Sequence, residues 1–193
     1  MDIKEYIQTS VKTKEQILNN EKFLNLIKES AKLIVKCYKN NGKVLIAGNG
    51  GSAGDAQHIA TELVSKFLIN RAGLSAFALT TDSSVLTSIG NDFGYKYVFS
   101  RQIEANGKKN DVFIGISTSG TSENIIEAAK AAKKQGLSVL GLTGEKASEM
   151  DSICDIIIKV PSSYTPVIQE VQMMICHIIC AITEEQLFEG NKN

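Results

Sequence analysis

The sequence has no surplus of either charge and no long hydrophobic segment. Its 193 residues carry 21 Lys and Arg against 21 Asp and Glu, so the formal net charge is zero. A neutral balance argues against a protein that coats nucleic acid or an anionic membrane surface. No uninterrupted apolar run approaches the ~20 residues that cross a bilayer, and the start, MDIKEYIQTSVKTKEQ, lacks the apolar stretch of a signal peptide. We therefore expect a cytoplasmic protein with no nucleic-acid or membrane partner.

Cysteine is scarce, and its spacing does not match a disulfide framework. The four cysteines are Cys37, Cys154, Cys176 and Cys180. We expect reduced thiols, as in a cytoplasmic protein. Cys176 and Cys180 lie beside His177, which allows a thiolate metal site. The interpretation we favour is two small apolar residues on a buried helix face.

The apolar pattern alternates between strand-like and helix-like segments, in a chain whose length suits one domain. Residues 1–40 predict two helices. The predicted strands, continuously apolar as in buried parallel sheets, are 43–48, 74–79, 111–117, 137–144 and 154–160. The predicted helices that follow are 52–69, 83–105 with a break near 90–94, 121–135 and 166–188. This order predicts a parallel sheet with helices on both faces.

The first predicted strand ends in AGNGGSAGD, a glycine-rich turn before a helix. Glycine allows close backbone approach to a ligand, and the N-terminus of a helix attracts anions. The segment also fits the dinucleotide fingerprint G-x-G-x-x-A through Gly48, Gly50 and Ala53. That fingerprint needs an acidic residue near the end of the second strand, and none occurs before Asp82. We therefore favour a phosphate over a dinucleotide.

The third predicted strand ends in ISTSGTSENI, which holds five hydroxyls in six residues. They are Ser117, Thr118, Ser119, Thr121 and Ser122. Hydroxyls and the amides of a helix N-terminus hold a phosphate without Lys or Arg. An ordinary helix cap needs only one hydroxyl, so the pattern favours the phosphate.

The only two histidines of the chain are His58 and His177. His58 and Glu62 lie four residues apart on one predicted helix, a spacing with which two side chains reach one metal ion. Taken alone, a helix-surface pair is the more ordinary interpretation. His177, in the apolar run MMICHIIC, would by itself also be read as structural.

Four segments together, GNGGSAGDAQHIATEL, ISTSGTSENIIEAAKAA, GLTG and IQEVQMMICH, resemble the sugar isomerase (SIS) domain family, and within it the phosphoheptose isomerases. The resemblance covers nearly the whole chain. It implies an α/β fold, a flavodoxin-like three-layer sandwich with a central parallel sheet preceded by two N-terminal helices. It also implies a homotetramer and isomerisation of sedoheptulose 7-phosphate, the first step toward ADP-heptose for bacterial surface polysaccharide. The zinc ligands that it implies are His58, Glu62, Gln169 and His177.

The resemblance also implies roles for particular side chains. Glu62 would carry the carbon proton, and His177 would serve the oxygens or help open the sugar ring. The implied sugar-binding residues are Asn49, Gly50, Gly51, Ser52, Asn91 and Asp92, together with Glu62 and Gln169. The implied phosphate-binding residues are Ser117, Thr118, Ser119 and Ser122. A simple turn remains an equal interpretation of the GNDFG segment that contains Asn91 and Asp92.

Gln169 and His177 are eight residues apart, which is about 12 Å along a helix and roughly 80° around it. One helix can hardly bring both to one ion, so we expect ligands from more than one subunit and a role for residues 1–40 in the oligomer. Relatives often carry a basic residue where this chain has Val167. That difference affects substrate contacts rather than the metal and acid–base set.

Two other functions remain open within the same family. Some SIS proteins bind sugar phosphates as regulators, and one relative of the heptose isomerases binds the bacterial replication initiator. A scaffold has no use for His177, so its presence with Glu62 favours an enzyme. An isomerase of another sugar phosphate, such as arabinose 5-phosphate, is disfavoured by the single compact domain.

Overall fold

The computed structural model describes residues 2–188 and contains a five-stranded parallel sheet with strand order β2-β1-β3-β4-β5. The strands are β1 (Val44–Gly48), β2 (Ala76–Ala78), β3 (Val112–Ile116), β4 (Ser138–Gly144) and β5 (Ile156–Val160). The helices are α1 (Ile3–Leu18), α2 (Glu21–Lys39), α3 (Gly51–Val64), α4 (Ser83–Asp92), α5 (Ser100–Asn106), α6 (Glu123–Lys134), α7 (Met150–Ile153) and α8 (Thr165–Phe188). This strand order is the flavodoxin-like one, and the predicted fold class is confirmed.

Several predicted boundaries were wrong. The helix predicted over 52–69 ends at Val64, because the following segment turns away toward β2. The break predicted near 90–94 within the 83–105 segment is confirmed, since this segment forms α4, a single 3-10 turn and α5, with Gly94 between α4 and the 3-10 turn at a φ of 96°. The second strand covers three residues instead of six, and α7 lies in a segment for which no helix was predicted.

The sheet is covered on both faces, which explains why its strands are apolar throughout. Every residue of β1 and β3 is buried. One apolar cluster joins the sheet to α2, α3 and α8, and a second joins the other face to α5 and α6. The molecule therefore has three layers, with the sheet in the middle.

The long helix α8 belongs to the core. By length and composition alone it would cross a membrane, with a mean hydropathy of 1.4 over 18 residues, but 44% of that window is buried inside the chain. Cys176 and Cys180 are among its buried residues, and burial raises the pKa of the Cys180 thiol to about 12. Both cysteines are therefore packed thiols, as expected. Val167 is also fully buried, so this position makes no substrate contact within one chain.

Helix α1 lies outside the sandwich, against α8. Its contact is partly polar: Ser10 Oγ donates to the two carboxylate oxygens of Glu170 at 2.9 and 3.1 Å, and Lys14 pairs with the same carboxylate. Ile17 at the other end of α1 is buried in the apolar cluster that contains α2 and α8. The outward side of α1 carries a row of exposed apolar residues, namely Ile3, Ile7, Val11 and Leu18. We refer to these four residues as the α1 stripe.

Candidate active site

Strands β1 and β3 are neighbours in the sheet, and the chain leaves their carboxyl ends toward opposite faces. In open parallel sheets ligands bind at this point, where the order of the strands reverses. Asn49 follows β1, and Asn124 lies in the first turn of α6 after β3. Their amides exchange two hydrogen bonds, of 2.9 and 2.8 Å, which tie the two loops together.

The predicted phosphate loop lies beside this pair. Ser117 Oγ is 3.0 Å from Ser122 Oγ and 3.4 Å from Ser119 Oγ, and it accepts the amide of Gly120 at 3.1 Å. Gly120 has a φ of 72°, a conformation that glycine adopts without strain. Ser122 is the N-cap residue of α6, yet its side chain makes no capping bond. The hydroxyls therefore gather around the start of α6 instead of capping it.

Helix α3 begins with the predicted sugar-binding residues. Gly50, its N-cap residue, has a φ of 56°, and Ser52 is buried. A Cβ at Gly51 would lie 2.4 Å from the Gln169 amide nitrogen, so only glycine lets α8 approach so closely. Gln169 Nε2 donates to Asp55 Oδ2 at 2.9 Å.

Asp55 is a site residue that the sequence reasoning missed. It lies three residues before His58, on the side of α3 that meets α8, and this spacing was a signal available in the sequence. Burial raises the pKa of the Asp55 carboxyl, while the hydrogen bond from Gln169 opposes that effect. Because Asp55 accepts the amide N–H of Gln169, the amide oxygen of Gln169 remains the acceptor for a ligand.

The structure brings His58, Glu62 and His177 together within one chain. His58 Nε2 is 3.0 Å from Glu62 Oε1 and 3.3 Å from His177 Nε2, and one ligand atom from each residue lies within 4.8 Å of the others. Glu62 comes from the last turn of α3, and His177 from α8. The His177 ring stacks on Phe67, with 5.6 Å between ring centroids and 14° between planes.

This cluster fits a zinc ion by its chemistry and its spacing. Two imidazole nitrogens and a carboxylate oxygen are a ligand set that zinc accepts. Ligands arranged tetrahedrally at ~2.0–2.1 Å from zinc lie roughly 3.3 Å from one another, near the separations given above. The His58 side chain is 49% exposed, so the cluster opens to the surface and leaves room for a further ligand.

Asn91 and Asp92 lie at the exposed end of α4, where Asn91 Nδ2 donates to Asp92 Oδ1 at 2.8 Å. The structure does not join either side chain to the other predicted site residues by a hydrogen bond within residues 2–188. The link comes from a neighbour that was not predicted: the Tyr95 hydroxyl donates to Asn49 Oδ1 at 3.3 Å.

Comparison with known proteins gives the same family. The sequence-family model of the SIS domain matches residues 5–144 of this chain. A phosphoheptose isomerase of Aneurinibacillus thermoaerophilus is 54% identical over 97% of this chain and 95% of its own length. Phosphoheptose isomerase 2 of Campylobacter jejuni is 53% identical over 96% of this chain and 92% of its own length.

Solved structures agree with these sequences. A phosphoheptose isomerase from Neisseria gonorrhoeae superposes with a TM-score of 0.89 at 38% identity, covering 95% of this chain and 97% of its own. A phosphoheptose isomerase from Francisella tularensis superposes with a TM-score of 0.91 at 35% identity. The match covers 95% of this chain and 96% of that one. The fold, the loops at the β1/β3 edge and these similarities lead to one conclusion: the chain belongs to the phosphoheptose isomerases of the SIS domain family.

Proposed function

We propose that this protein converts sedoheptulose 7-phosphate to D-glycero-D-manno-heptose 7-phosphate, the first step toward ADP-heptose for bacterial surface polysaccharide. The observation that carries the proposal is the meeting of Glu62 with both histidines of the chain, in a molecule that also has a hydroxyl-lined loop after β3. The chain is an enzyme, an aldose–ketose isomerase, by its family.

The reaction moves one proton between C1 and C2 and another between their oxygens, through a cis-enediol. Glu62 is the base that removes the C1 proton and returns it to C2. His177 transfers the proton between the oxygens, and its stacking on Phe67 holds the imidazole plane in place. These two groups are close enough to act on adjacent carbons of one substrate.

The substrate is held at both ends. Ser117, Thr118, Ser119 and Ser122, with the amides at the start of α6, take the phosphate. The sugar hydroxyls contact residues 49–52, Gln169, and the pair Asn91 and Asp92. Asn49 has its amide committed to Asn124, which orders this part of the site before the substrate arrives.

We further propose zinc as the metal, held by His58, Glu62 and His177, with Gln169 as the fourth ligand. A zinc ion held there would supply Lewis-acid stabilisation of negative charge on the substrate carbonyl oxygen. Gln169 lies two helical turns from His177 on α8, and this separation supports a site completed by Gln169 of a second subunit. The protein's own residues perform the proton transfers.

The phosphate loop gives a direct prediction. Ser119→Ala combined with Ser122→Ala is expected to raise KM for the sugar phosphate at least ~10-fold, since each lost hydrogen bond to a charged group is worth ~1.5–3 kcal/mol. Steady-state kinetics measures this. Ser83→Ala with Ser84→Ala, in the first turn of α4, is the matched control and leaves KM unchanged. Wild-type KM in the Ser119/Ser122 variant would put the phosphate elsewhere.

We propose a soluble, cytoplasmic homotetramer in which residues 1–40 form subunit contacts. The α1 stripe supports this proposal, because Ile7 and Val11 are 55% and 48% exposed and leave an apolar row beside the contact of α1 with α8. Water-exposed apolar rows of this kind are typical of subunit interfaces.

A charged substitution within the α1 stripe tests the proposed oligomer. Ile7→Glu is expected to shift the protein to a smaller species in light scattering coupled to size exclusion, because a carboxylate is costly to bury. Lys12→Glu introduces the same group on the opposite side of α1 and is expected to keep the wild-type size. If Ile7→Glu also keeps that size, α1 is not an interface.

The substrate is tested by offering purified protein sedoheptulose 7-phosphate and, separately, arabinose 5-phosphate. We expect turnover of the heptulose phosphate and little of the pentose phosphate. Tight binding of a sugar phosphate without turnover would favour the regulatory alternative. Preferred turnover of arabinose 5-phosphate would favour the other isomerase.

A further inference from the structure

The segment between α3 and β2, residues 65–75, is held by a buried ion pair. Glu184 on α8 is 2% exposed, and its carboxylate accepts the backbone amides of Phe67, Leu68 and Ile69 at 3.2, 2.7 and 3.2 Å. The same carboxylate accepts Arg71 Nε at 2.9 Å. Burial would raise the pKa of Glu184, but these four hydrogen bonds outweigh it and lower the pKa, so the group is a carboxylate.

Arg71 joins this carboxylate to the C-terminal end of α3. Its Nη2 donates to the carbonyl of Glu62 at 2.7 Å, and its Nη1 donates to the carbonyls of Leu63 and Ser65 at 2.7 and 2.8 Å. The last carbonyls of a helix have no partner within the helix, and a cation there also complements the helix dipole. Arg71 therefore caps the helical turn that carries Glu62.

Both residues of the ion pair are connected to the cluster of His58, Glu62 and His177. Glu184 lies seven residues after His177, two turns along the same side of α8. Phe67, whose amide Glu184 binds, stacks on the His177 ring. The pair thus fixes α3, α8 and the Phe67 ring relative to one another, where Glu62 and His177 meet.

Stability alone does not explain such a pair. A buried ion pair is often no more stabilising than apolar residues of the same volume, because both charges lose their hydration. Here nearly every hydrogen-bonding position of the pair is used on a backbone group within residues 62–72. The geometry points to Arg71 and Glu184 as positioning residues, which hold Glu62 and His177 at the separation that the reaction needs. This inference rests on the proposed function of the cluster, but it is tested without measuring turnover.

The test uses the fact that the chain has two histidines, so their ring signals in NMR spectra are readily assigned. Glu184→Gln and Arg71→Lys are expected to shift the His177 ring signals, because the Phe67 ring current changes when the 67–69 segment is released. Phe67→Leu identifies the direction of that shift. Zinc affinity, measured by competition with a chelator, is expected to fall ~10–100-fold in both variants, as for other groups that orient metal ligands.

Asp111→Asn is the matched control. Asp111 is also 2% exposed and accepts two backbone amides and the Lys43 ammonium, but at the opposite end of the sheet. We expect this variant to lose stability while keeping wild-type histidine signals and zinc affinity. The proposal is overturned if folded Glu184→Gln keeps both wild-type values, or if Asp111→Asn changes them equally.

Wild-type protein provides a test if neither variant folds. The amides of residues 67–69 are expected to exchange with deuterium as slowly as those in α8, and exchange at the rate of an exposed loop would overturn the proposal. If the wild type has slowly exchanging amides at residues 67–69 but does not isomerise sedoheptulose 7-phosphate, the proposed function is refuted, while the role of the ion pair in holding Glu62 and His177 together remains supported.

Discussion

Glu62→Gln is expected to reduce isomerisation at least ~100-fold, the lower range of what a positioned general base contributes. A carboxamide has nearly the same shape as the carboxylate but does not accept the C1 proton. Glu62 is largely buried at the end of α3, and its backbone carbonyl remains capped by Arg71, so the substitution leaves the helix intact. The measurement is kcat with sedoheptulose 7-phosphate.

The matched control is Glu185→Gln, an exposed position on α8. It makes the same chemical change and is expected to keep the wild-type kcat. Thermal unfolding of both variants shows whether the fold persists. Near wild-type turnover in the Glu62 variant would remove this residue from the mechanism and leave His177 as the acid–base group.

Removal of the metal is expected to have the second large effect. Protein purified without chelator should contain about one zinc ion per chain, and His58→Ala should lose most of it, because one of the two imidazole ligands is gone. Chelation of the wild type should lower activity, and added zinc should restore it. Imidazole binds zinc only as a neutral base, so affinity should also fall as the pH is lowered.

The Cys180→Ala variant distinguishes zinc binding at His58, Glu62 and His177 from zinc binding at the cysteine thiolates. Cys180 is buried and its thiol pKa is raised to about 12 by burial, so the variant should keep its zinc. Loss of zinc from Cys180→Ala, with retention in His58→Ala, would move the metal to the cysteines. Full activity of wild-type protein without metal would leave His58 as a structural residue.

The parts of this fold that the sequence predicts are those set by local pattern. The buried parallel strands show as continuous apolar runs, and their loops carry the glycines and hydroxyls from which a phosphate site is predicted. The helix over 52–69 was predicted too long, because the apolar residues Phe67 and Leu68 continue the helical pattern although their amides bind Glu184 instead.

The contacts that the sequence does not reveal join residues far apart in the chain. Glu184 and Arg71 are separated by 113 positions, and Asp55 and Gln169 by 114. Only the packing of α3 on α8 brings them together. His58, Glu62 and His177 could be named in advance because of the family resemblance. The four-residue spacing of His58 and Glu62 also fits an ordinary surface pair.

The most direct test of the account is the reaction of wild-type protein with sedoheptulose 7-phosphate in deuterated water, followed by NMR. Proton transfer through a cis-enediol predicts an aldoheptose phosphate of which a fraction carries deuterium at C2, because the proton held by Glu62 exchanges with water in some turnovers, and it predicts no deuterium uptake by the Glu62→Gln variant. Deuterium uptake by the Glu62→Gln variant at the wild-type rate, or a wild type that forms no aldoheptose phosphate, would contradict it.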